Sequence, residues 1–263
     1  MRISNTNYKF DLNKNNKIVH ISDIHYCNDY KLERLEIVFD NIKKIDPNFI
    51  CITGDLIDST DIDNDKIDIF INWLNKLSNI CKIIIILGNH DVEHIKNKKR
   101  EYYINEYFIS KLKSLNNTYF LRNEMYEDEN IRFLGLEINY SYYKDSNIEI
   151  INEINNLINI PNDKVNILLV HDPDVIFKNK INLEKIDFIL CGHTHGGLMP
   201  EFIPGHRGLI SPKKILFKKN MRGIYDINNT KLIISSGIVK LSKRSHLTKL
   251  NDIYSSNIVI ITF

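Results

Sequence analysis

Short apolar runs alternate with longer amphipathic stretches over the first two-thirds of the chain. The apolar runs are four to seven residues long and rich in Ile, Leu and Val, which is typical of buried strands. The amphipathic stretches repeat their apolar positions at helical spacing, and one of them carries Leu32, Leu35, Val38, Phe39 and Ile42. This alternation of strand and helix predicts a layered α/β fold.

The pattern predicts ten strands and four helices. The strands are expected at Ile18–Ile21, Phe49–Thr53, Lys82–Leu87, Thr118–Leu121, Ile131–Glu137, Asn166–Val170, Ile186–Leu190, Gly223–Ile227, Lys231–Ser235 and Asn257–Thr262. The helices are expected at Leu32–Lys44, Lys66–Leu77, Lys98–Leu115 and Ser146–Ile158. Because no linker, repeat or low-complexity block divides the chain, we expect residues 1–263 to form a single domain.

Composition narrows the class of protein. A chain of 263 residues, 43% of them hydrophobic, can bury a sizeable core without disulfides. The formal net charge of +2 gives no global reason to expect nucleic acid or an anionic membrane as a partner. The four cysteines are scattered, the N-terminus lacks the apolar core of a signal peptide, and no apolar run is long enough to span a membrane. We therefore expect a cytoplasmic protein without a membrane anchor.

Five of the predicted strands run directly into aspartate, histidine or asparagine. The segments SDIH, GDLID, GNHD, HD and CGHTH follow the strands that end at Ile21, Thr53, Leu87, Val170 and Leu190. Any one of these segments alone could be a polar turn or a helix cap. Because open α/β sheets place ligand sites at the carboxyl ends of their strands, the five together predict one site.

The residue types at these strand ends indicate a metal site. They supply carboxylates, imidazoles and one amide, with no thiolate except Cys27 and Cys191. This mixed nitrogen and oxygen set suits Mn, Fe, Zn or Ni better than a structural zinc cage. The groups are too many for one ion. Two divalent ions about 3.5–4 Å apart that share a carboxylate would use them all and would form a clamp for in-line attack at phosphorus.

The order of these segments resembles the calcineurin-like binuclear metallophosphoesterase family. The series DIH, GDLID, GNHD, a strand ending in histidine, and GHTH spans residues 18–197 in the order of that family. The later segments PGHRGLISPKK, MRGIY and IISSGI are similar to a bacterial branch that includes phosphodiesterases and hydrolases of UDP-diacylglucosamine. The resemblance implies a four-layer α/β/β/α sandwich of two mixed sheets, in which a metal-bridging hydroxide attacks phosphorus.

The resemblance also implies a role for each residue that matches the family pattern. By position, the first metal is held by Asp23, His25 and His195, the second by Asn89, His171 and His193, and Asp55 bridges both. His90 resembles the family histidine that protonates the leaving oxygen or stabilises charge on it. Asp58 matches the family acid that orients this histidine, and Asp91 is the competing orienting residue.

The substrate contacts are expected in the last third of the chain. We read the first basic stretch, which runs from Arg207 to Arg222, as a solvated face. In the second basic stretch we expect Arg244 to contact a substrate phosphate. Aromatic residues at helical spacing around Tyr107 are expected to pack in the core, whereas NYSYY, residues 139–143, is a candidate for stacking a base or flanking an acyl chain.

The function expected from these observations is metal-dependent hydrolysis of a phosphomonoester or phosphodiester. The substrate would be a small molecule or nucleotide-like, and the cofactors two divalent ions, with Mn as the first choice. One alternative is a pyrophosphatase acting on a lipid-linked nucleotide sugar such as UDP-diacylglucosamine. A more remote one is a scaffold of the same fold without turnover, although every ligand position is filled. A nuclease is not favoured, because the net charge is close to neutral.

Overall fold

Two mixed six-stranded sheets form the centre of the structure, a computed structural model that describes residues 3–12, 15–97, 99–144, 151–179, 181–198, 205–238 and 256–263. The strands in these ranges are β1 (Ile3–Lys9), β2 (Lys17–Ile21), β3 (Phe49–Thr53), β4 (Lys82–Ile86), β5 (Glu93–Lys96), β6 (Lys99–Tyr102), β7 (Thr118–Phe120), β8 (Glu124–Glu127), β9 (Ile131–Gly135), β10 (Val165–Leu169), β11 (Phe188–Cys191), β12 (Gly223–Ile227), β13 (Thr230–Ile234) and β14 (Ser256–Thr262). The helices are α1 (Leu32–Ile45), α2 (Asn64–Ser78), α3 (Glu106–Lys113), α4 (Tyr140–Lys144), α5 (Ile151–Leu157) and α6 (Asp174–Lys178).

Each sheet has a parallel centre. The first sheet has the order β1-β14-β2-β3-β4-β7, and β2, β3, β4 and β7 run parallel. The second has the order β12-β13-β11-β10-β9-β8, and β13, β11, β10 and β9 run parallel. Parallel neighbours end at the same edge of a sheet, so the loops after β2, β3 and β4 lie together, as do those after β10 and β11.

Three buried clusters show how the layers stack. One cluster joins α1, α2 and α3 to the outer face of the first sheet, and another joins α4, α5 and α6 to the outer face of the second. The third contains residues of both sheets, such as Ile84 and Phe133. Along β3, Ile50 and Ile52 belong to the helix-side cluster while Cys51 belongs to the cluster between the sheets, as alternation in a strand requires. The predicted four-layer α/β/β/α sandwich is confirmed.

The predicted helix over Lys98–Leu115 is wrong in its first part. Strands β5 and β6 form a two-stranded antiparallel hairpin there, with Glu93 opposite Tyr102, and α3 begins only at Glu106. The chain reverses next to Asn97, whose φ of 50° is a left-handed conformation that asparagine tolerates. Of the aromatic residues around Tyr107 that were expected to pack in the core, Phe108 is buried on α3, and the half-buried Tyr107 donates its hydroxyl to Asp68. Tyr103 precedes α3 and is exposed.

Several short or polar elements escaped the sequence pattern. Strand β1 is an edge strand that pairs in parallel with β14, and its mixed burial explains why its sequence shows no apolar run. Strand β8 and the five-residue helices α4 and α6 are too short to show a period. The predicted helix from Ser146 to Ile158 is observed from Ile151 onward, and residues 145–150 lie outside the described ranges. Among the described helices, none combines the length and apolarity needed to cross a membrane.

Candidate metal centre

All five polar segments that follow the predicted strands meet at one place. Three come from the first sheet, after β2, β3 and β4, and two come from the second sheet, after β10 and β11. Backbone hydrogen bonds tie the loops together: His25 N donates to Asp55 O at 2.9 Å, and Gly192 N donates to His171 O at 3.0 Å. The site therefore lies where the carboxyl ends of both sheets converge, as the sequence predicted.

Left-handed backbone is concentrated at this site. Five of the seven expected metal ligands have positive φ: Asp23 (54°), His25 (48°), Asp55 (52°), His193 (67°) and His195 (50°). This conformation is unfavourable for residues other than glycine, and it persists where the surrounding structure enforces it. The strand ends and tight turns therefore hold these five residues in a backbone conformation that they would not adopt by themselves.

One group of ligand atoms combines Asp23, His25 and His195. The two imidazole Nε2 atoms of His25 and His195 are 3.2 Å apart, and His195 Nε2 is 3.6 Å from Asp23 Oδ1. Two imidazole nitrogens bound to one ion at about 2.1 Å each would be separated by roughly this distance. The backbone N–H of His193 donates to both Asp23 carboxylate oxygens, at 3.1 and 3.0 Å, and fixes that carboxylate.

A second group combines Asp55, His171 and His193. His171 Nε2 lies 3.3 Å from Asp55 Oδ2 and 3.3 Å from His193 Nδ1. The other nitrogen of His171 donates to the carbonyl oxygen of Thr53 at 2.7 Å, which leaves its Nε2 free to bind an ion. Asp55 Oδ2 is also 3.5 Å from His25 Nε2. A single carboxylate oxygen thus lies between the two groups of ligands.

The residues present fit divalent metal ions. The side-chain oxygen of Asn89 is buried and has no hydrogen-bond partner in the part of the chain that the structure describes, which is costly unless a cation binds there. Three sets of His and Asp ligand atoms are each close enough to share an ion: Asp23, His25 and His195; Asp55, His171 and His193; and His25, Asp55 and His90. The donors are hard oxygens and imidazoles, the types that Mn, Fe and Zn accept.

The pKa shifts of most of these donors favour the protonation state in which they can bind a cation. Burial lowers the pKa of His25 and of His193 well below the usual value, so both imidazoles are neutral and able to donate a lone pair. Burial alone would raise the pKa of Asp55, but the neighbouring His171, His90 and His25 outweigh it and keep that pKa well below its usual range. Burial opposes a proton on His171, yet Asp55 raises its pKa to about 10, so an ion must displace that proton.

His90 lies beside this centre and is held by Glu93. The His90 Nδ1 is 2.8 Å from Glu93 Oε1, and Arg100 contacts the same carboxylate oxygen. The Tyr140 hydroxyl donates to the other oxygen at 3.1 Å. Burial by itself would lower the pKa of His90, but Asp55 and Glu93 raise it to about 9, so the imidazole is protonated at neutral pH.

The structure corrects the expected partner of His90. Asp58 accepts hydrogen bonds from the backbone and hydroxyl of Thr60, at 3.2 and 2.5 Å, and not from the imidazole. Asp91 accepts from the backbone N–H groups of Ile57 and Gly88, so it fixes the loop instead of the histidine. Glu93 was missed because it lies in β5, in a stretch between Leu87 and Lys98 to which the sequence pattern assigned no element. Its position three residues after His90 was the only available signal.

A cavity of about 220 Å³ opens onto the ligands, and its wall also includes His90, Tyr143, Pro212 and Lys213. The ring centre of Tyr143 lies 5.7 Å from that of His193, and the buried Tyr143 hydroxyl has no hydrogen-bond partner among the described residues. Lys213 belongs to the basic stretch that was read as a solvated face, and it is exposed there while it also lines this cavity. Arg244 lies outside the described residues.

A larger cavity adjoins the metal site. It measures about 650 Å³, and its wall includes Gly88, the residue before Asn89. The rest of the wall is mixed, with apolar or aromatic residues (Leu87, Val92, Tyr102, Ile138 and Tyr140) and polar or acidic ones (Asn123, Glu137, Asn139, Ser141 and Glu153). Space for an organic group therefore lies next to the space for a phosphoryl group.

A comparison with protein families identifies the family of the chain. The family model for calcineurin-like phosphoesterases matches residues 16–197, and the chain belongs to that family. The matched residues include all seven expected metal ligands, from Asp23 to His195.

Relatives of known sequence carry the same family name. The chain is 29% identical over 235 residues to an uncharacterized metallophosphoesterase of Campylobacter jejuni, covering 86% of this chain and 54% of that protein. It is 27% identical to one of Aquifex aeolicus, covering 84% and 77%, and 28% identical to YkuE of Bacillus subtilis, covering 84% and 71%. The chain thus spans about half the length of the Campylobacter relative.

Among solved structures, a dimetal phosphatase from Danio rerio matches with a TM-score of 0.44 at 12% identity, covering 88% of this chain and 90% of that one. The phosphoesterase Yfce from E. coli matches with a TM-score of 0.38 at 12% identity, covering 83% and 78%.

The close packing around Gly192 gives a testable prediction. A β-carbon on Gly192 would lie 1.7 Å from Ser22 Oγ and 2.6 Å from Asp23 Oδ2, both buried. We expect Gly192→Ala to lower the free energy of unfolding by about 1–3 kcal/mol, measured by denaturant titration. Combining it with Ser22→Ala removes the hydroxyl and should restore part of the loss. If the single variant were as stable as the wild type, the space around Gly192 would have to be larger than the structure shows.

Proposed function

We propose that the protein is a metal-dependent hydrolase of phosphoesters that uses two divalent ions. The observation that carries the proposal is the Asp55 carboxylate, whose Oδ2 lies 3.5 Å from His25 Nε2 and 3.3 Å from His171 Nε2. Family membership supports the reaction class. When bound, a pair of divalent ions activates water and neutralises charge on phosphoryl oxygens.

The ligands divide between two positions. Asp23, His25 and His195 would hold one ion, and Asn89, His171 and His193 the other, with Asp55 shared. Manganese is our first choice, because carboxylate, amide and imidazole donors suit it, and Fe, Zn or Ni could take the same set. The rigid backbone around these residues would hold the ligands in place before an ion binds.

His90 is proposed as the group that assists the leaving oxygen. It lines the cavity with the ligands, and Glu93 and Asp55 favour its protonated form. A protonated imidazole in this position can donate its proton to an alkoxide or stabilise the charge that develops on it. Glu93 is proposed as the acid that orients His90, in place of Asp58.

Lys213 and Arg244 are proposed as phosphate contacts. Lys213 lines the cavity that contains His193 and His195, and an ammonium group there would bind a non-bridging phosphate oxygen. Arg244 keeps the role expected from the sequence. The organic part of a small phosphoester would extend into the adjoining cavity of about 650 Å³. The apolar and aromatic side chains in that wall would also suit the organic part of a nucleotide-sugar pyrophosphate.

The shared carboxylate can be tested directly. Protein loaded with Mn²⁺ should contain close to two ions per chain by elemental analysis, and Asp55→Ala should lose most of both because each position depends on it. The loaded protein, but not the variant, should hydrolyse members of a panel of monoesters, diesters, nucleotides and UDP-sugars. A chain that binds one ion, or that keeps two without Asp55, would exclude the shared arrangement.

The role of His90 predicts a dependence on the leaving group. His90→Ala should retain its metal content, while turnover falls by about 10²–10⁴-fold on esters with alkoxide leaving groups. The loss should be smaller on p-nitrophenyl esters, because p-nitrophenolate leaves without a proton. Glu93→Gln should show the same ranking more weakly, and Asp58→Asn should change little. A larger effect of Asp58→Asn than of Glu93→Gln would return the orienting role to Asp58.

The phosphate contacts can be separated by kinetics. Lys213→Ala should raise KM, by about tenfold if one charge-assisted hydrogen bond is lost. Lys219→Ala is the matched control, since Lys219 is exposed on the same segment but does not line the cavity. Arg244→Ala should raise KM as well. Equal and small effects of Lys213→Ala and Lys219→Ala would show that Lys213 is only a surface charge.

A further inference from the structure

An exposed β-hairpin lies next to the metal site. Its two arms pair through Gly208 N to Lys218 O at 3.0 Å, Phe217 N to Leu209 O at 3.1 Å and Ser211 N to Ile215 O at 2.9 Å. The turn at its tip carries Pro212 and Lys213, which line the cavity over the ligands. We call residues 205–222 the 205–222 hairpin.

The base of the 205–222 hairpin is fixed to the body of the protein. Ile210 N donates to Gly197 O at 3.1 Å, and Gly197 and Gly208 pack so closely that a β-carbon on Gly197 would lie 2.2 Å from the Gly208 Cα. The Thr194 hydroxyl donates to Met221 O at 2.6 Å, between the ligands His193 and His195. The hairpin is therefore held in a defined position relative to the metal ligands.

Four large apolar side chains on this hairpin face solvent. The exposed fractions are 44% for Leu209, 50% for Ile215, 63% for Leu216 and 59% for Phe217. Ile215, Leu216 and Phe217 are consecutive in the sequence, so three of the four exposed side chains lie in one short stretch of the hairpin. Clustered apolar exposure of this kind marks an interaction surface, whereas single exposed apolar residues do not.

The charge around these apolar side chains has one sign. Between Gly205 and Arg222 the sequence has six Lys or Arg residues and no Asp or Glu, although the net charge of the whole chain is only +2. Lys218 is neutralised by Asp174, at 2.6 Å. Lys213, Lys214 and Lys219 are exposed, and none forms an ion pair with a residue in the part of the chain that the structure describes. The patch is therefore both apolar and cationic.

We propose that the 205–222 hairpin docks the protein onto the surface of an anionic lipid bilayer. Leu216 and Phe217 would enter the boundary between headgroups and acyl chains, and Lys214 and Lys219 would contact anionic headgroups. The metal-site cavity would then open close to the lipid surface, because its wall includes Pro212 and Lys213 of the same hairpin. The proposal concerns binding and stands independently of the hydrolytic reaction.

A lipid surface fits the patch better than a second copy of the chain. In a symmetric dimer the same patch would meet itself and bring two uncompensated cationic hairpins together, which is electrostatically unfavourable. Nucleic acid would use the cations but would leave Leu216 and Phe217 without an apolar partner. A bilayer with anionic lipids satisfies both the charge and the apolar surface.

Vesicle co-sedimentation tests the proposal without any substrate. The full chain should bind vesicles of phosphatidylcholine mixed with phosphatidylglycerol, should bind phosphatidylcholine alone much less, and should dissociate as salt is raised. Each cation near an anionic surface contributes about fivefold in partition, so Lys214→Glu with Lys219→Glu should weaken binding at least tenfold. Leu216→Ser with Phe217→Ser should also release the protein, whereas Met125→Ser, at an exposed apolar residue on β8, should not.

The outcomes are distinct. Equal binding to neutral and anionic vesicles, or vesicle binding by the Leu216→Ser and Phe217→Ser variant that equals wild type, would overturn the proposal. The proposal would also be overturned if sedimentation velocity found a dimer for the wild type and a monomer for the variant, because the patch would then join two copies of the chain. Thermal melting and metal content of the variant should match wild type, since these side chains face solvent. Failure of vesicle binding with two ions still present would leave the proposed hydrolytic function untouched.

Discussion

The architecture of the site depends on one buried carboxylate, that of Asp55. Its Oδ1 accepts the backbone N–H of His90 at 2.8 Å, and its Oδ2 lies between the imidazoles of His25 and His171. A buried carboxylate is tolerated only where positive charge and hydrogen bonds compensate for lost hydration. That requirement explains why strand ends from both sheets must meet at this point. The first sheet supplies Asp55, and the second supplies His171. The cluster of apolar residues between the sheets holds the two sheets together.

The sequence predicted the centre of this arrangement well, for a physical reason. Each expected ligand segment follows a strand that is almost wholly apolar, as KIIIIL precedes Gly88 and Asn89. The hydrophobic pattern and the polar residue types therefore indicate the same position, the carboxyl end of the strand. The parallel strands then bring these segments to one edge whatever the loop lengths are. The pattern missed elements that are short, polar or at the edge of a sheet, such as β1, β8 and α6. Such elements bury few side chains and show no hydrophobic periodicity.

Side-chain partners were harder to predict than positions. Glu93 is only three residues from His90, whereas Arg100 reaches Glu93 because β5 and β6 form a hairpin. That pairing depends on a turn next to Asn97, just before a segment with helical spacing. In the same way, Lys213 reaches the cavity because its hairpin folds back over the ligands. Both contacts arise from short antiparallel pairings, which carry little signal in a single sequence. The sequence did show the basic stretch from Arg207 to Arg222, but not that this stretch folds into a hairpin beside the expected ligands.

The backbone at the site links its chemistry to the stability of the whole domain. Left-handed conformations cost about 1–2 kcal/mol for each non-glycine residue, and five expected ligands adopt them in a protein of a class that is stable by only about 5–15 kcal/mol. Glycines without side chains, such as Gly54, Gly88 and Gly192, let these loops pack close enough to hold the strained residues. The three apolar clusters must therefore stabilise the protein before any ion binds. Ions bound at these ligands would then add stability to a geometry that the fold already enforces.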